Sequence, residues 1–446
     1  MRYTPANLAT CAAVLAAALA AAGLAQPASA PTGSAPAATG LAASGPTTAT
    51  PTTTSTATAP ADFWRSPKVS RISVPDFPGQ FGIFGATGVG PDGAVWVGVC
   101  AHRVKLPSAR LFELDAAQGR LVERGDVVGQ LQRLELHRDG EGQMKIHTKI
   151  VSLAGAESGD LYFASMDEEG ESQPLSVNPR WGSHLWRLRQ GSPNARAGVW
   201  GPLPDRQWEH LGSAPHGLIA LAGGRRCVFA LGYFGHWLYR FDPAGREPPR
   251  TVQIGAIGGH VSRNIFCDRR GHVYVPRVRL ADQKPVAELV ELDEELKELA
   301  STPLEHYFAG SPDQSEGITA FVMLGGGGIC FLTSSGRLYR VDASGDAPTR
   351  VTDAGWFARD GPRHAGSLFA LDGRGVLAGC APGPDRRAQW VVRDLESGRA
   401  EVFGFETEPP SLAGAMIYGC STRDAAGACI VTGLDNARAL LLRVQP

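Results

Sequence analysis

A short alternating pattern of apolar and polar positions recurs along most of the chain. The run contains a leucine or other large apolar residue, then another, and often an acid that closes it, as in Arg337-Leu338-Tyr339-Arg340-Val341-Asp342. Alternating runs that are rich in aromatic residues and bounded by Asp/Gly turns predict antiparallel β-strands in hairpins. The copies of this pattern lie at 110–115, 184–188, 237–242, 288–293, 337–342, 389–394 and 439–444.

A second recurring pattern precedes each of these copies. It consists of a glycine turn that leads into a β-rich strand, as in Gly271-His272-Val273-Tyr274-Val275. Helical periodicity is nearly absent from the chain. A repeat of about 50 residues that holds four short strands is typical of a propeller blade. The sequence therefore predicts an all-β fold, a seven-bladed β-propeller of four-stranded antiparallel blades.

The two ends of the repeat region predict how the propeller closes. The seventh copy ends at Pro446, after what we expect to be the third strand of its blade. The segment Ser70-Arg71-Ile72-Ser73-Val74-Pro75 can supply the missing fourth strand. Pairing of the N- and C-terminal strands would remove an exposed sheet edge that invites aggregation.

The region before the repeats has a different composition. Residues 1–30 combine Arg2, an apolar Ala/Leu run and the small residues Ala28-Ser29-Ala30, the pattern of a secretory signal peptide. An uncleaved anchor is the alternative. Residues 31–61 are rich in Ala, Pro, Thr and Ser, which predicts a disordered tether. We expect a propeller at 62–446 in a secreted, periplasmic or cell-surface protein.

Charge and cysteine content narrow the classes of partner. The net charge is −1, from 43 basic and 44 acidic residues without a basic block, so nucleic acid is not an expected partner. We expect a monomer without a membrane span after signal cleavage, and a polysaccharide or other extracellular small molecule as its ligand. Most cysteines beyond Cys11 lie in apolar strands and are expected to be buried and free; a Cys420–Cys429 bridge is the alternative.

Titratable residues recur where the innermost strand of each blade should begin. The residues at this place in blades two to six are His147, His216, His260, Glu316 and His364. Blades one and seven break the pattern. Imidazole changes charge near neutral pH and ligates metals when neutral, so such a set suits acid–base chemistry or a divalent cation. The innermost strands line the central channel, so we expect these side chains at its mouth.

Three further residues are candidates for the same site. Tyr233 lies between glycines in a loop expected near the channel mouth. A packing or turn role is an equally supported interpretation of this residue. Arg263 shares a strand with His260, and strand alternation places the two on opposite faces unless a bulge intervenes. Arg250 is a candidate in an exposed loop, with a solvated role as the alternative. The acidic run 167–171 could hold Ca²⁺, but its spacing favours solvated surface.

Three segments resemble a known family. They are Gly142-Gln143-Met144-Lys145-Ile146-His147-Thr148-Lys149-Ile150, residues 232–242 and residues 258–263. Together they resemble secreted seven-bladed propellers of the polysaccharide-lyase type, such as ulvan lyases, and their uncharacterised relatives. Met166-Asp167 depart from the family pattern, which often has a second histidine there.

The resemblance implies roles for individual residues. In such lyases a His/Tyr pair removes the C5 proton of a uronate and assists departure of the 4-linked sugar. It implies that His147 is an acid/base residue with Tyr233 as its partner. Arg250 or Arg263, together with His260, would neutralise the carboxylate. His216, His364 and Glu316 would then bind the substrate.

Three functions remain open at this point. The first is a polysaccharide lyase, whose side chains should converge beside a pocket. The second is a non-catalytic propeller that binds glycan or protein at the cell surface through an aromatic platform of Trp181, Trp200, Trp208 and Trp356. The third is a metal-dependent enzyme of the lactonase or streptogramin-lyase type. In the third, the metal ligands would be His216, His260, Glu316 and His364.

Overall fold

Seven β-sheets contain nearly all the regular structure of this computed structural model. It describes residues 63–446 except 155–158, 168–180, 190–207, 234, 258–259, 344, 346, 384–386, 408–411 and 413. The predicted signal peptide and tether, most of the acidic run 167–171 and Trp200 lie outside the described residues. Among the residues described, no helix is long and apolar enough to cross a membrane.

The chain enters the fold through β1 (Lys68–Arg71) and then forms the first three blades. Blade 1 contains β2 (Thr87–Val89), β3 (Val95–Val99), β4 (Arg110–Asp115) and β5 (Arg120–Asp126). Helix α1 (Val127–Arg133) follows. Blade 2 contains β6 (Lys145–Ile146), β7 (Val151–Ser152), β8 (Leu161–Met166), β9 (Ser183–Leu188) and β10 (Trp208–Ala214). Blade 3 contains β11 (Gly217–Gly223), β12 (Val228–Tyr233), β13 (Trp237–Phe241) and β14 (Arg250–Gln253).

The remaining blades follow the same order from the inside outwards. Blade 4 contains β15 (Phe266–Cys267), β16 (Val273–Ala281), β17 (Lys284–Leu292) and β18 (Glu298–Pro303). A 3-10 turn (Pro312–Gln314) precedes blade 5, which contains β19 (Ile318–Met323), β20 (Ile329–Thr333), β21 (Arg337–Asp342) and β22 (Arg350–Trp356). Blade 6 contains β23 (Phe369–Ala370), β24 (Val376–Pro382), β25 (Ala388–Asp394) and β26 (Ala400–Phe403). Blade 7 contains β28 (Met416–Tyr418), β29 (Cys429–Asp435) and β30 (Arg438–Gln445) in this order, and β27 (Glu406–Thr407), which precedes them in the chain, lies at the outer edge of the same sheet.

The seven-bladed architecture predicted from the repeats is confirmed. The recurring alternating pattern forms the third strand of each blade, namely β4, β9, β13, β17, β21, β25 and β30. Its apolar positions alternate between two interblade cores. On blade 5, Phe331 and Tyr339 stack at 5.3 Å and pack with Phe266 of blade 4. Leu332 and Leu338 lie in the core that blade 5 shares with blade 6.

Irregular innermost strands shape the channel side of the blades. The pairing register of β11 shifts between Leu218 and Ala220, and that of β19 shifts between Ile318 and Ala320. In blade 2 the innermost strand is divided into β6 and β7. Bulges and breaks re-aim side chains that strict alternation would turn into the interblade cores. His147 lies in the break between β6 and β7.

The predicted closure is also confirmed. β1 pairs antiparallel with β30, with Val69 opposite Val444, and so supplies the outer strand of the last blade. It begins two residues before the segment predicted from the sequence. β27 then adds in parallel to β1, which gives this sheet five strands.

The cysteines are buried and free, as the apolar strands around them predicted. This holds for Cys100, Cys227, Cys267, Cys330, Cys380, Cys420 and Cys429. The alternative Cys420–Cys429 bridge is therefore wrong. Cys420 instead contacts the hydroxyl of Thr432, with 2.9 Å between Sγ and Oγ1.

Removal of β1 should destabilise the propeller. A chain that begins at Asp76 loses Val69 and the buried Ile72 and leaves β30 as an open edge. Loss of this apolar burial should lower the free energy of unfolding by about 3 kcal/mol, and the open edge should promote association. Urea unfolding and light scattering measure both effects, with a chain that begins at Phe63 as the control. Equal midpoints and two monodisperse proteins would contradict the closure argument.

Candidate functional site

His147 is a buried imidazole at the channel mouth. The break between β6 and β7 holds it with 4% of its surface exposed, beside the ring of Phe84 at 5.2 Å. Its Nε2 lies 2.7 Å from Nη1 of Arg263. Burial, and then the charges of Arg263 and Lys145, hold the pKa of His147 well below its usual value. Since the guanidinium only donates, Nε2 accepts and the ring is neutral.

Arg263 is the centre of the cluster. It lies in the irregular segment before β15, and its Nη2 donates to Oε1 of Glu316 at 3.0 Å. Its guanidinium carbon lies 5.5 Å from the centre of the Tyr418 ring. Burial lowers the pKa of Arg263, but Glu316 and the nearby phenols of Tyr418 and Tyr233 outweigh it, so the net shift is upward. The guanidinium of Arg263 is therefore protonated and positively charged.

Glu316 connects Arg263 to His364. Its Oε2 lies 3.4 Å from Nε2 of His364, and its backbone N–H donates to Oγ of Ser334 at 3.0 Å. Nδ1 of His364 donates to the carbonyl of Ser334. Burial raises the pKa of Glu316, but Arg263 and His364 outweigh it and the net shift is downward. The cluster therefore places a carboxylate between a guanidinium and an imidazole.

A cavity of ≈ 340 Å³ opens beside this end of the cluster. Glu316, His364 and Tyr418 border it, and Ala381 and Met416 contribute apolar wall. A volume of this size accommodates a small ligand, and convergent polar groups on an apolar wall are typical of a binding site.

Lys149 is a buried lysine that contacts blade 7 directly after Tyr418. Its Nζ donates to the carbonyl of Gly419 at 2.8 Å and to Oγ of Ser421 at 2.7 Å, which joins blade 2 to blade 7 across the channel. The ammonium also lies 5.0 Å from the ring of Phe321. Burial lowers the pKa of Lys149 to about 8.

Sequence reasoning missed two of these residues. Tyr418 follows Met416 by two positions in blade 7, where the repeat showed no titratable residue at the expected place. A search that allowed a two-residue shift would have found its phenol. Lys149 follows His147 by two positions in the interrupted innermost strand, but a lone lysine gives no signal of burial.

Three predicted residues lie outside the cluster. His260 is buried, with Nδ1 2.9 Å from the carbonyl of Pro312 and Nε2 3.1 Å from the hydroxyl of Tyr307. His216 stacks on Trp237 with 5.3 Å between ring centres. Arg250 lies on the outermost strand β14, where it pairs with Glu295. His147, Arg263, Glu316 and His364 are the predicted residues that contact one another. Tyr233, at the end of β12, packs in an apolar core, and its phenol is close enough to influence the pKa of Arg263.

The four residues predicted as metal ligands do not come together. Other protein groups contact both ring nitrogens of His260, and His216 stacks on Trp237. In the described part of the chain, Asp268, His272 and Glu291 hold their ligand atoms within 4.8 Å of one another. Nη2 of Arg270 already lies 2.6 Å from Asp268 and 2.9 Å from Glu291. A guanidinium therefore supplies the positive charge there.

The tryptophans do not form one open platform among the residues described. Trp208 is buried edge-on against Phe163, with 4.8 Å between ring centres. Trp356 lies under the guanidinium of Arg337 at 4.7 Å, and Trp181 under that of Arg138 at 5.0 Å. Each of these three indoles therefore contacts a neighbouring side chain of the same protein.

Fold and site together define a seven-bladed β-propeller with a titratable cluster at its channel mouth. No family model and no curated protein matches the chain. Among solved structures, an extracellular domain of a putative hybrid two-component system from B. thetaiotaomicron is 12% identical, with a TM-score of 0.48, over 84% of this chain and 39% of that chain. The β-propeller domain of the Trilobed protease from Pyrococcus furiosus is 9% identical, with a TM-score of 0.42, over 82% and 93%. The chain thus spans about two fifths of the first of these structures.

The neutral state of His147 should make stability depend on pH. Its folded pKa lies below the usual 6.5, so below about pH 6.5 the unfolded chain binds a proton that the folded chain does not. Stability should therefore fall as the pH falls from 7 to 5, by up to about 1.4 kcal/mol per pH unit for this residue. Urea unfolding across this range should show a shallower dependence in His147→Gln. Tyr233→Phe is the control and should keep the wild-type slope; equal slopes in wild type and His147→Gln would refute the assignment.

Proposed function

We propose that the protein is an extracellular, glycan-directed propeller that binds a uronate at the channel mouth and cleaves the polysaccharide by β-elimination. The observation that carries this proposal is the 2.7 Å contact between the neutral, buried His147 and Arg263. A base and a carboxylate-binding cation stand side by side there, and the phenol of Tyr233 is close enough to influence the Arg263 pKa.

Elimination needs the substrate carboxylate to be neutralised before its C5 proton becomes acidic. In our proposal the carboxylate docks on Arg263, which turns away from His147 and releases the Nε2 lone pair. His147 takes the C5 proton, and the electrons of that C–H bond form the C4=C5 double bond. The C4–O bond breaks, and the hydroxyl of Tyr233 protonates the departing oxygen. His364 and Glu316 contact the sugar hydroxyls from the cavity wall.

The resemblance to secreted lyase propellers and the predicted signal peptide support an extracellular substrate. Such enzymes act on polysaccharides that do not enter cells, so an exported chain fits the proposal. His216, His260 and Arg250 have no part in it, because their side chains contact other residues away from Arg263.

The proposal predicts unsaturated uronate products. Wild-type protein, incubated with a panel of uronate polysaccharides, should increase the ultraviolet absorbance of the C4=C5 double bond. Loss of the acid or the base should slow the reaction by about 10²–10⁴-fold in His147→Gln and Tyr233→Phe. Arg263→Ala should be equally impaired. Arg250→Ala is the matched control, because its ion pair lies on an exposed outermost strand, and it should retain wild-type activity.

No absorbance change on any polysaccharide, or full activity in His147→Gln, would rule out the lyase mechanism. Product analysis by mass spectrometry provides an independent readout, because β-elimination and hydrolysis give products that differ by one water.

A second candidate function is binding without catalysis. Glu316 already neutralises Arg263, and the Arg263 guanidinium already donates to Nε2 of His147, an arrangement that suits a rigid recognition site. In that case wild type binds uronate oligosaccharides in calorimetry without forming unsaturated product. Arg263→Ala would lose the binding, whereas Tyr233→Phe would keep it.

A further inference from the structure

A groove lined by arginines lies at the other end of the innermost strands from the cluster around Arg263. Arg263 precedes the innermost strand of blade 4, whereas Arg269 and Arg270 follow it. Arg225 and Arg226 follow the innermost strand of blade 3 in the same way. Two adjoining cavities of ≈ 990 and ≈ 630 Å³ form the groove, and Arg225, Arg269 and Arg270 line both of them. The groove therefore joins the loops of two neighbouring blades.

Carboxylates compensate two of these four guanidinium groups. Nε of Arg226 donates to Oε2 of Glu294 at 2.8 Å. Nη2 of Arg270 lies 2.6 Å from a carboxylate oxygen of Asp268 and 2.9 Å from one of Glu291. Ion pairing within the protein thus accounts for Arg226 and Arg270, and the excess positive charge of the groove lies on its other two arginines.

The guanidinium groups of Arg225 and Arg269 form no ion pair with a carboxylate among the described residues. Both side chains nevertheless lie against the backbone at glycines. A Cβ at Gly271 would lie 3.2 Å from Cγ of Arg225, and a Cβ at Gly327 would lie 3.4 Å from Nε of Arg269. Nη2 of Arg269 also donates to the carbonyl of Gly325 at 3.1 Å. Side chains that are already held in place lose less conformational entropy when they bind a ligand.

Glu294 fixes the loop that carries Arg225. Its Oε1 accepts hydrogen bonds from the backbone N–H groups of Arg225 and Arg226 at 2.7 and 2.8 Å. Glu294 follows the third strand of blade 4, so these hydrogen bonds connect the arginine loop of blade 3 to the next blade. The loops that carry Arg225 and Arg269 are therefore held together across the blade boundary.

The remaining lining excludes several kinds of ligand. It consists of Ala154, His272, Gly326, Gly327, Ala343 and Gly345. Apart from His272, no aromatic side chain lines the groove among the residues described, whereas sites for single-stranded nucleic acid combine positive charge with rings on which bases stack. The described lining also contains no large apolar side chain that could enter a lipid layer. The groove is therefore built to recognise negative charge.

We propose that this groove binds sulfate groups of an extracellular sulfated polysaccharide, apart from the proposed uronate site. The guanidinium of arginine presents a planar fork of N–H donors that matches an oxyanion. A sulfate ester carries a single negative charge and has only acceptor oxygens, which fits two uncompensated guanidinium groups beside carboxylates that are already paired. A phosphate monoester carries about −1.5 to −2 at pH 7 and would be repelled more strongly by those carboxylates. The predicted signal peptide favours a ligand found outside the cell.

Calorimetry with the full-length protein tests the proposal, with dextran sulfate as the probe and uncharged dextran of the same length as its control. Wild type should bind dextran sulfate and should not bind dextran. Arg225→Ala/Arg269→Ala should weaken this binding at least about 10-fold, because it removes two charge-assisted hydrogen-bond donors. Arg359→Ala/Arg438→Ala is the matched control. It removes the same charge from two exposed arginines outside the groove and should bind as wild type does.

Arg225 and Arg269 are exposed, so their double variant should fold, and circular dichroism verifies this. The proposal is overturned if wild type does not bind dextran sulfate, or if Arg225→Ala/Arg269→Ala binds it as tightly as wild type. Tighter binding of inorganic polyphosphate than of dextran sulfate would also overturn it, because the ligand would then be a phosphate polymer. Loss of binding in Arg263→Ala instead would overturn it by placing the ligand at the cluster. None of these measurements depends on uronate elimination.

Discussion

Each blade of this propeller is apolar on both faces, and that constraint determines the rest of the structure. Phe331 and Tyr339 face blade 4 while Leu332 and Leu338 face blade 6, so a single blade cannot bury its own side chains. A sheet of this kind is stable only between two neighbours, and the series must close on itself. The pairing of β1 with β30 completes that closure with strands from the two ends of the fold.

Closure also determines where polar groups can collect. The interblade cores exclude charge, and the innermost strands meet around a narrow channel where side chains from distant blades come into contact. Lys149 reaches Gly419 across 270 positions of the sequence, and Arg263 reaches His147 across 116. In this low-dielectric environment a guanidinium needs a compensating carboxylate, which Glu316 provides. The same environment keeps His147 neutral.

The sequence predicted the blades well because strand alternation and glycine turns are local signals. It also identified His147, Glu316 and His364, because titratable residues recur where the innermost strand of each blade should begin. The sequence alone could not show that Arg263 belongs to the cluster and His260 does not. The residues that contact each side chain come from distant parts of the chain. Tyr307 and Pro312, which follow His260 by 47 and 52 residues, contact its two ring nitrogens. Nothing in the sequence indicated the bulges either, such as the one in β10 between His210 and Gly212.

In the proposed reaction, Arg263 receives the carboxylate of a uronate and thereby frees His147. A crystal structure of His147→Gln with a bound uronate oligosaccharide tests it most directly. We expect the sugar carboxylate within hydrogen-bonding distance of the Arg263 guanidinium, with C5 facing residue 147 and the ring in the cavity beside Glu316 and His364. An oligosaccharide bound elsewhere on the propeller, with Arg263 still engaged only by Glu316, would contradict it.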